Sequence, residues 1–279
     1  MGTTSHSRHE KMEDKNDYQL HLKNIHLSFG GIKALHGVTT GVKEGEIFSI
    51  IGPNGAGKTC LLNCINRFYQ PEQGSIIFEG HDISRIKPHR IAKLGIARTF
   101  QNVELFGHMT VLDNIKLGAH VHLKSGSLSG GIYYGKTRNE EIALRKDIEE
   151  KIVDLLEIEP IRKHVVHSLP YGLQKRVEMA RALAMRPRVL LLDEPATGMN
   201  LEETEDIARF ILDINEEWGI TIILIEHDMG VVMDISNRIC VLDFGQKIAE
   251  GKPLEIRHNE KVIRAYLGEE DLTYSRLGA

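Results

Sequence analysis

Gly52-Pro53-Asn54-Gly55-Ala56-Gly57-Lys58-Thr59 lies between the apolar run Ile47-Phe48-Ser49-Ile50-Ile51 and the segment Leu61-Leu62-Asn63-Cys64-Ile65. The order reads as strand, glycine loop, helix, which is the context a phosphate-binding loop requires. Glycines let backbone N–H groups turn inward around an anion, and the start of the helix adds the positive end of its dipole. Lys58 can then reach the β- and γ-phosphates, and the Thr59 hydroxyl can ligate Mg²⁺. In a bare glycine-rich turn the same pattern would arise by chance; between a strand and a helix it implies binding of a nucleoside triphosphate.

A second apolar run, Val189-Leu190-Leu191-Leu192, ends in Asp193-Glu194. A buried parallel strand presents its last residues at the carboxyl edge of the sheet, where ligands bind in such sheets. Asp193 is then placed to hold Mg²⁺ and Glu194 to polarise an attacking water. Such an ending is a weak signal alone and a strong one downstream of a phosphate loop.

Around these two motifs the chain alternates strands and helices. Leu20, Leu22, Ile25, Leu27 and Phe29 predict an early strand whose alternation slips near Asn24, and Ser75 to Glu79 another, between Gly74 and Gly80. A short helix is predicted after Pro88, then an apolar stretch from Ile96 to Phe100 and a helix over 110–117. Ser125 to Gly135 reads as a Gly/Ser loop, and Ile142, Ile148, Ile152, Leu155 and Leu156 as a helical stripe. Helices follow over 177–185 and 202–217, a strand over 220–225, and a closing hairpin over 241–248 around Gly245. This alternation means an α/β domain. The nearly all-helical stretch from about 102 to 180 interrupts it and is predicted to be a helical subdomain.

The 279 residues are 41% hydrophobic and 27% charged, as in an ordinary globular protein, with a formal net charge of −4 that argues against a nucleic-acid-binding surface. No apolar run approaches the ~18 residues needed to span a bilayer. The first 17 residues are polar, without the apolar core of a secretory signal, and are expected to be a disordered tail. Cys60, Cys64 and Cys240 lack further ligands at short spacing and read as small buried hydrophobes rather than a metal site.

Further motifs stand in a telling order: Arg98-Thr99-Phe100-Gln101-Asn102, Leu169-Pro170-Tyr171-Gly172-Leu173-Gln174-Lys175-Arg176, Pro195 to Asn200, and His227 after the strand ending at Ile225 and Glu226. With them, the chain resembles the ATP-binding subunits of ABC transporters over about residues 18–267. The resemblance implies an α/β fold: a P-loop NTPase (RecA-like) ABC ATPase core with an antiparallel β-subdomain and an inserted helical subdomain. Residues 1–17 and 268–279 would be tails. It implies that ATP rests on Phe29, on Gly52, Pro53, Asn54, Gly55, Ala56, Gly57, Lys58, Thr59 and Cys60, and on Gly172 of a facing subunit. Mg²⁺ would be held by Thr59, Gln101 and Asp193, and Glu194, His227, Lys58 and Gln101 would carry catalysis. Phe29, 29 residues before Lys58, suits the aromatic that stacks on adenine; the other reading of it is an inward-facing strand residue.

Two positions depart from the common pattern, Pro170 for the signature Ser and Asn200 for the D-loop Asp. Pro-Tyr-Gly, Gly-Met-Asn, Arg-Thr-Phe-Gln, Glu-His-Asp-Met and a late Ala-Tyr-Leu-Gly (265–268) resemble the branched-chain amino-acid importer ATPases, which makes the departures branch-typical. The literal Leu128-Ser129-Gly130-Gly131 stands 65 residues before Asp193, ahead of no basic helix, and is read as a loop rather than the signature. Implied partners are membrane-embedded permease subunits, a second ATPase subunit (the same or a similar chain) and, indirectly, a periplasmic or extracellular binding protein. The expected place is the cytoplasmic face of the inner membrane. Rival readings are another cargo (lipid or lipopolysaccharide export, urea or amide uptake), a soluble ABC ATPase, and a non-catalytic nucleotide-binding regulator.

Overall fold

The computed structural model describes residues 17–101, 103–120, 146 and 148–266. The expected tails (Asp17 apart), the Gly/Ser loop with Leu128 to Gly131, Asn102, Ile142 and Leu267-Gly268 lie outside these. Two sheets organise the described residues. The first is antiparallel, in the order β2-β1-β4-β5, from β1 (Leu20–Phe29), β2 (Ile32–Val42), β4 (Gln73–Phe78) and β5 (His81–Asp82). The second is formed by β3 (Ile47–Ile51), β6 (Ile96–Arg98), β7 (Val189–Asp193), β8 (Thr221–Ile225), β9 (Arg238–Asp243) and β10 (Gln246–Gly251), in the order β10-β9-β3-β8-β7-β6. All its pairs are parallel except the β9–β10 hairpin.

Side-chain alternation on the second sheet divides the interior. On β7 and β8, Leu190, Leu192, Ile222 and Leu224 join one core; Val189, Leu191, Ile223 and Ile225 join the other. A strand buried on both faces must be apolar throughout, which is why these strands carry no polar alternation. The second core is filled by the antiparallel sheet and by α1 (Lys58–Ile65). The first is filled by α3 (Val111–Ala119), α4 (Tyr171–Leu183) and α5 (Leu201–Trp218). The short α2 (Pro88–Ile91) precedes β6, and α6 (Met229–Ile235) and α7 (Pro253–Arg257) cover the β9 side.

The slip at Asn24 is a bulge. Asn24 has φ +52°, and the register of β1 shifts there against both neighbours. Gly74, expected to bound the next strand, lies inside it and passes the Asn24 bulge too closely for a side chain, since a Cβ there would stand 2.4 Å from the Asn24 carbonyl. The described parts of 102–180 are helices and turns, including a π-helical stretch over Ile148–Val153, joined by one bridge between Thr110 and Val165. α4 starts earlier than the helix expected from Val177, at Tyr171, so the signature segment forms its first turn. No helix among the described residues is long and apolar enough to cross a membrane.

Candidate active site

The phosphate loop leaves the end of β3 and enters α1 through glycines no other residue could replace. At Gly52, with φ +148°, a Cβ would lie 2.0 Å from the Leu242 carbonyl; at Gly57, with φ +99°, it would lie 2.5 Å from that of Ala34. Gly57 is the N-cap of α1 and supplies no side chain, so the amides of the first turn stay free for an anion. The Lys58 ammonium folds back onto the Gly52 and Pro53 carbonyls at 2.7 and 3.2 Å. Burial pulls its pKa below the ordinary lysine value, against the pull of Glu194 and Asp193. Thr59 is half-buried, and Asn54 and Gly55 are exposed.

Glu194 gathers two of the other expected catalytic residues, His227 and Gln101, together with Thr197. Its Oε1 is 2.8 Å from Nε2 of His227, and its Oε2 accepts from Gln101 Nε2 at 2.9 Å and from Thr197 Oγ1 at 3.3 Å. These groups come from the ends of β7, β8 and β6, neighbours at the carboxyl edge of the sheet. Asp193, fully buried at the last position of β7, bonds Arg98 Nη2 through Oδ2 at 2.7 Å, while its Oδ1 has no partner. Burial pushes its pKa up, and Arg98 draws it back.

Other expected positions lie apart from this cluster. Phe29 ends β1 with its ring 45% exposed, edge-on to Tyr69 at 5.0 Å, so the inward-facing reading is wrong: the alternation slips at Asn24 and the strand ends in solvent. Gly172 is buried in the first turn of α4, where a Cβ would stand 2.6 Å from Glu203 Oε1. Pro170 stands at the N-cap position of that helix without a side-chain cap bond, and Asn200 caps α5 in a reciprocal pair with Glu203. Cys64 and Cys240 are buried thiols with pKa pushed up to about 12. Cys60 is only half-buried, a correction to its expected burial, because it sits in the first turn of α1 beside the open loop.

Several residues that shape the site had no assigned role. Arg98 stands in the quoted Arg98–Asn102 run, yet nothing in the run indicates that it would reach both Asp193 and Asn63. Glu226, 3% exposed, accepts the Ala196 and His227 amides at 2.7 and 2.9 Å and so joins the loops after β7 and β8. Burial raises its pKa, and these amides oppose the rise. Its only sequence signal is a carboxylate ending an apolar strand, the same signal that singled out Asp193 and Glu194.

Comparison with known proteins agrees with this geometry. The ABC transporter family matches residues 35–197. The chain belongs to that family. Within it, residues 246–271 match the branched-chain amino acid ATP-binding cassette transporter family. This cassette is 42% identical over 252 residues to the high-affinity branched-chain amino acid transport ATP-binding protein BraF of Pseudomonas aeruginosa, covering 90% of this chain and 98% of that one. It superposes with TM-score 0.77 and 33% identity on the ADP conformation of an ATP-binding cassette of an ABC transporter, over 90% and 98% of the two chains. A dimeric cassette in a post-hydrolysis state, bound to ADP and Pi, matches with TM-score 0.71 and 28% identity over 84% and 98%.

Proposed function

We propose that this chain hydrolyses ATP to drive import of branched-chain amino acids through separate membrane-embedded permease subunits, from the cytoplasmic face of the membrane. The observation that carries the catalytic part is the convergence of Gln101, Thr197 and His227 on Glu194 beside the phosphate loop's lysine. A carboxylate held at both oxygens is oriented to accept a proton from an attacking water. His227 and Gln101 then face the γ-phosphate, and the Lys58 ammonium exchanges two loop carbonyls for phosphate oxygens. Catalysis is positioning and electrostatics around that phosphoryl group.

The donor set suits Mg²⁺. Asp193 has a buried oxygen with no partner, and no group of three His, Cys, Asp or Glu side chains among the described residues could hold a metal alone. Mg²⁺ is bound in this way where one carboxylate shares the ion with substrate phosphates. Thr59, Gln101 and Asp193 would hold it, and it would supply neutralisation of charge on the β- and γ-phosphate oxygens. Phe29 stacks on adenine, and Gly172 of a facing ATPase subunit, identical or similar, closes the site. The branched-chain cargo is supported by the family match of residues 246–271 and the likeness to BraF.

Glu194→Gln tests the reading. ATP binding is expected to survive while hydrolysis falls roughly 10²–10⁴-fold, since the amide cannot act as a base. With ATP and Mg²⁺ the variant is expected to elute as a dimer in size-exclusion chromatography. A variant that binds ATP yet stays monomeric, or hydrolyses at the wild-type rate, contradicts the mechanism. Uptake of labelled leucine by vesicles carrying the assembled transporter, lost in the same variant, tests the cargo.

A further inference from the structure

Helix α4 starts at the signature segment and runs past the loop that carries Gln101, and side chains from successive turns reach that loop's backbone. Lys175 Nζ donates to the carbonyls of Phe100 and Gln101, both at 2.8 Å. Glu178 Oε1 accepts from the Phe100 amide at 3.2 Å, and Arg181 donates to the Glu104 carbonyl. Positions 175, 178 and 181 are spaced by three and share one helix face. Lys175 and Glu178 are 3% and 1% exposed and stand 3.6 Å apart.

Burying such a pair is costly, and apolar residues of the same volume would pack the helix at least as well. What the pair adds is geometry. A cation on two successive carbonyls, with its carboxylate on the amide between the preceding residue and Phe100, holds the backbone on both sides of Phe100. Gln101 follows directly, and its side chain meets Glu194 at 2.9 Å.

With Gln101 and Glu194 assigned to hydrolysis as above, we propose that Lys175 and Glu178 are positioning residues for Gln101. They fix the backbone from which its amide reaches Glu194, and so tie the placement of the signature helix to that of the catalytic carboxylate in the same subunit.

A mutant cycle in the assembled transporter tests this, with kcat and KM for ATP measured for Lys175→Met, Gln101→Ala and the double variant. Lys175→Met is expected to lower kcat on the order of tenfold with KM within about twofold, the pattern of a lost transition-state interaction. The double variant is expected to be no slower than Gln101→Ala by more than about twofold, because both changes remove the same placement. Should the two losses multiply, Lys175 acts independently of Gln101 and the positioning role is overturned, with the catalytic assignment left standing. A fully active Gln101→Ala instead overturns that assignment, and the positioning role with it. Replacing the pair together, Lys175→Met with Glu178→Met, leaves neither charge unpaired and supplies the same cycle if Lys175→Met alone does not fold.

Discussion

Glu194 occupies a backbone conformation that side chains rarely adopt, with φ +52°. Left-handed backbone at a non-glycine residue costs of order 1–3 kcal/mol and persists only where surrounding contacts over-determine it. Here the Glu194 amide bonds the Ile225 carbonyl at 2.8 Å, and both carboxylate oxygens are engaged. Phe29 is the opposite case, an aromatic side chain 45% exposed at the end of its strand and edge-on to Tyr69. Phe29→Ala is therefore expected to change the stability of the nucleotide-free chain by less than about 1 kcal/mol. The same change should cost about 1–3 kcal/mol of ATP affinity if the ring stacks on adenine. Calorimetric melting and ATP titration read the two separately, and an unchanged affinity removes Phe29 from the site. Glu178 carries a pH prediction. Burial raises its pKa above the ordinary carboxylate value, while Lys175 and the Phe100 amide oppose the rise. Between the unfolded and the raised pKa the native state binds more protons, so this group's contribution is present below about pH 4 and is lost as pH rises through the raised value. Glu178→Gln removes that loss. Wild type should thus lose stability relative to the variant as pH climbs from about 4, read as the difference between two curves of Tm against pH. A difference moving the other way would mean that Lys175 outweighs burial.

At the scale of elements, legibility followed periodicity. β3, β7 and β8 were plain from their unbroken apolar runs, since strands buried on both faces leave no other pattern. β2 was missed because Gly37 and Gly41 fall among Thr39, Thr40 and His36, so its sequence shows no alternation; pairing with β1 and bonds from His36 to Gly245 and from Thr40 to Glu250 hold it in place. The start of α4 was missed because Pro170 is no capping residue, and the first turn relies on packing against α5. That packing makes a prediction. Glu203 Oε2 closes the α5 cap by accepting the Asn200 amide, and its Oε1 faces Gly172. Gly172→Asp would place a second carboxylate against it and, in the closed dimer, beside the facing subunit's phosphates. Cooperative ATP hydrolysis of the assembled transporter should be lost while the isolated chain still binds ATP. Asn200→Ala is the control: it breaks the same cap at a cost of about 1 kcal/mol but adds no charge. If both variants lose turnover equally, the defect lies in the helix cap and Gly172 has no part in the facing site.

For the whole molecule, motif order made the layout readable while side-chain partnerships stayed hidden. Gln101, Glu194 and His227 lie far apart in the chain, and strand order β8-β7-β6 places them side by side. Resemblance anticipated that cluster. Arg98, Lys175 and Glu226 went unassigned because each acts through a contact 30 to 95 residues away that no local pattern encodes. The same layout sets how nucleotide affects stability. Phe29 belongs to the antiparallel sheet, Lys58 to the start of α1 where the loop after β3 ends, and Gln101 to the segment that α4 grips, so ATP would bridge both sheets and the helical side. A ligand that binds only the folded state at 100 times its Kd adds about 2.7 kcal/mol. For a chain of this size that corresponds to a rise in Tm of roughly 5–10 °C. Lys58→Ala should abolish the rise, because the cationic partner of the β- and γ-phosphates is gone. Its effect on the nucleotide-free chain should be smaller, since the buried ammonium it removes is itself destabilised by desolvation. Chelating Mg²⁺ with EDTA should shrink the wild-type rise without moving the nucleotide-free Tm, as expected when metal and phosphates are held together. Differential scanning calorimetry of both proteins, with and without ATP, Mg²⁺ and EDTA, measures all of this. A Lys58→Ala chain that gains as much from ATP as wild type would place the nucleotide somewhere other than the loop after β3.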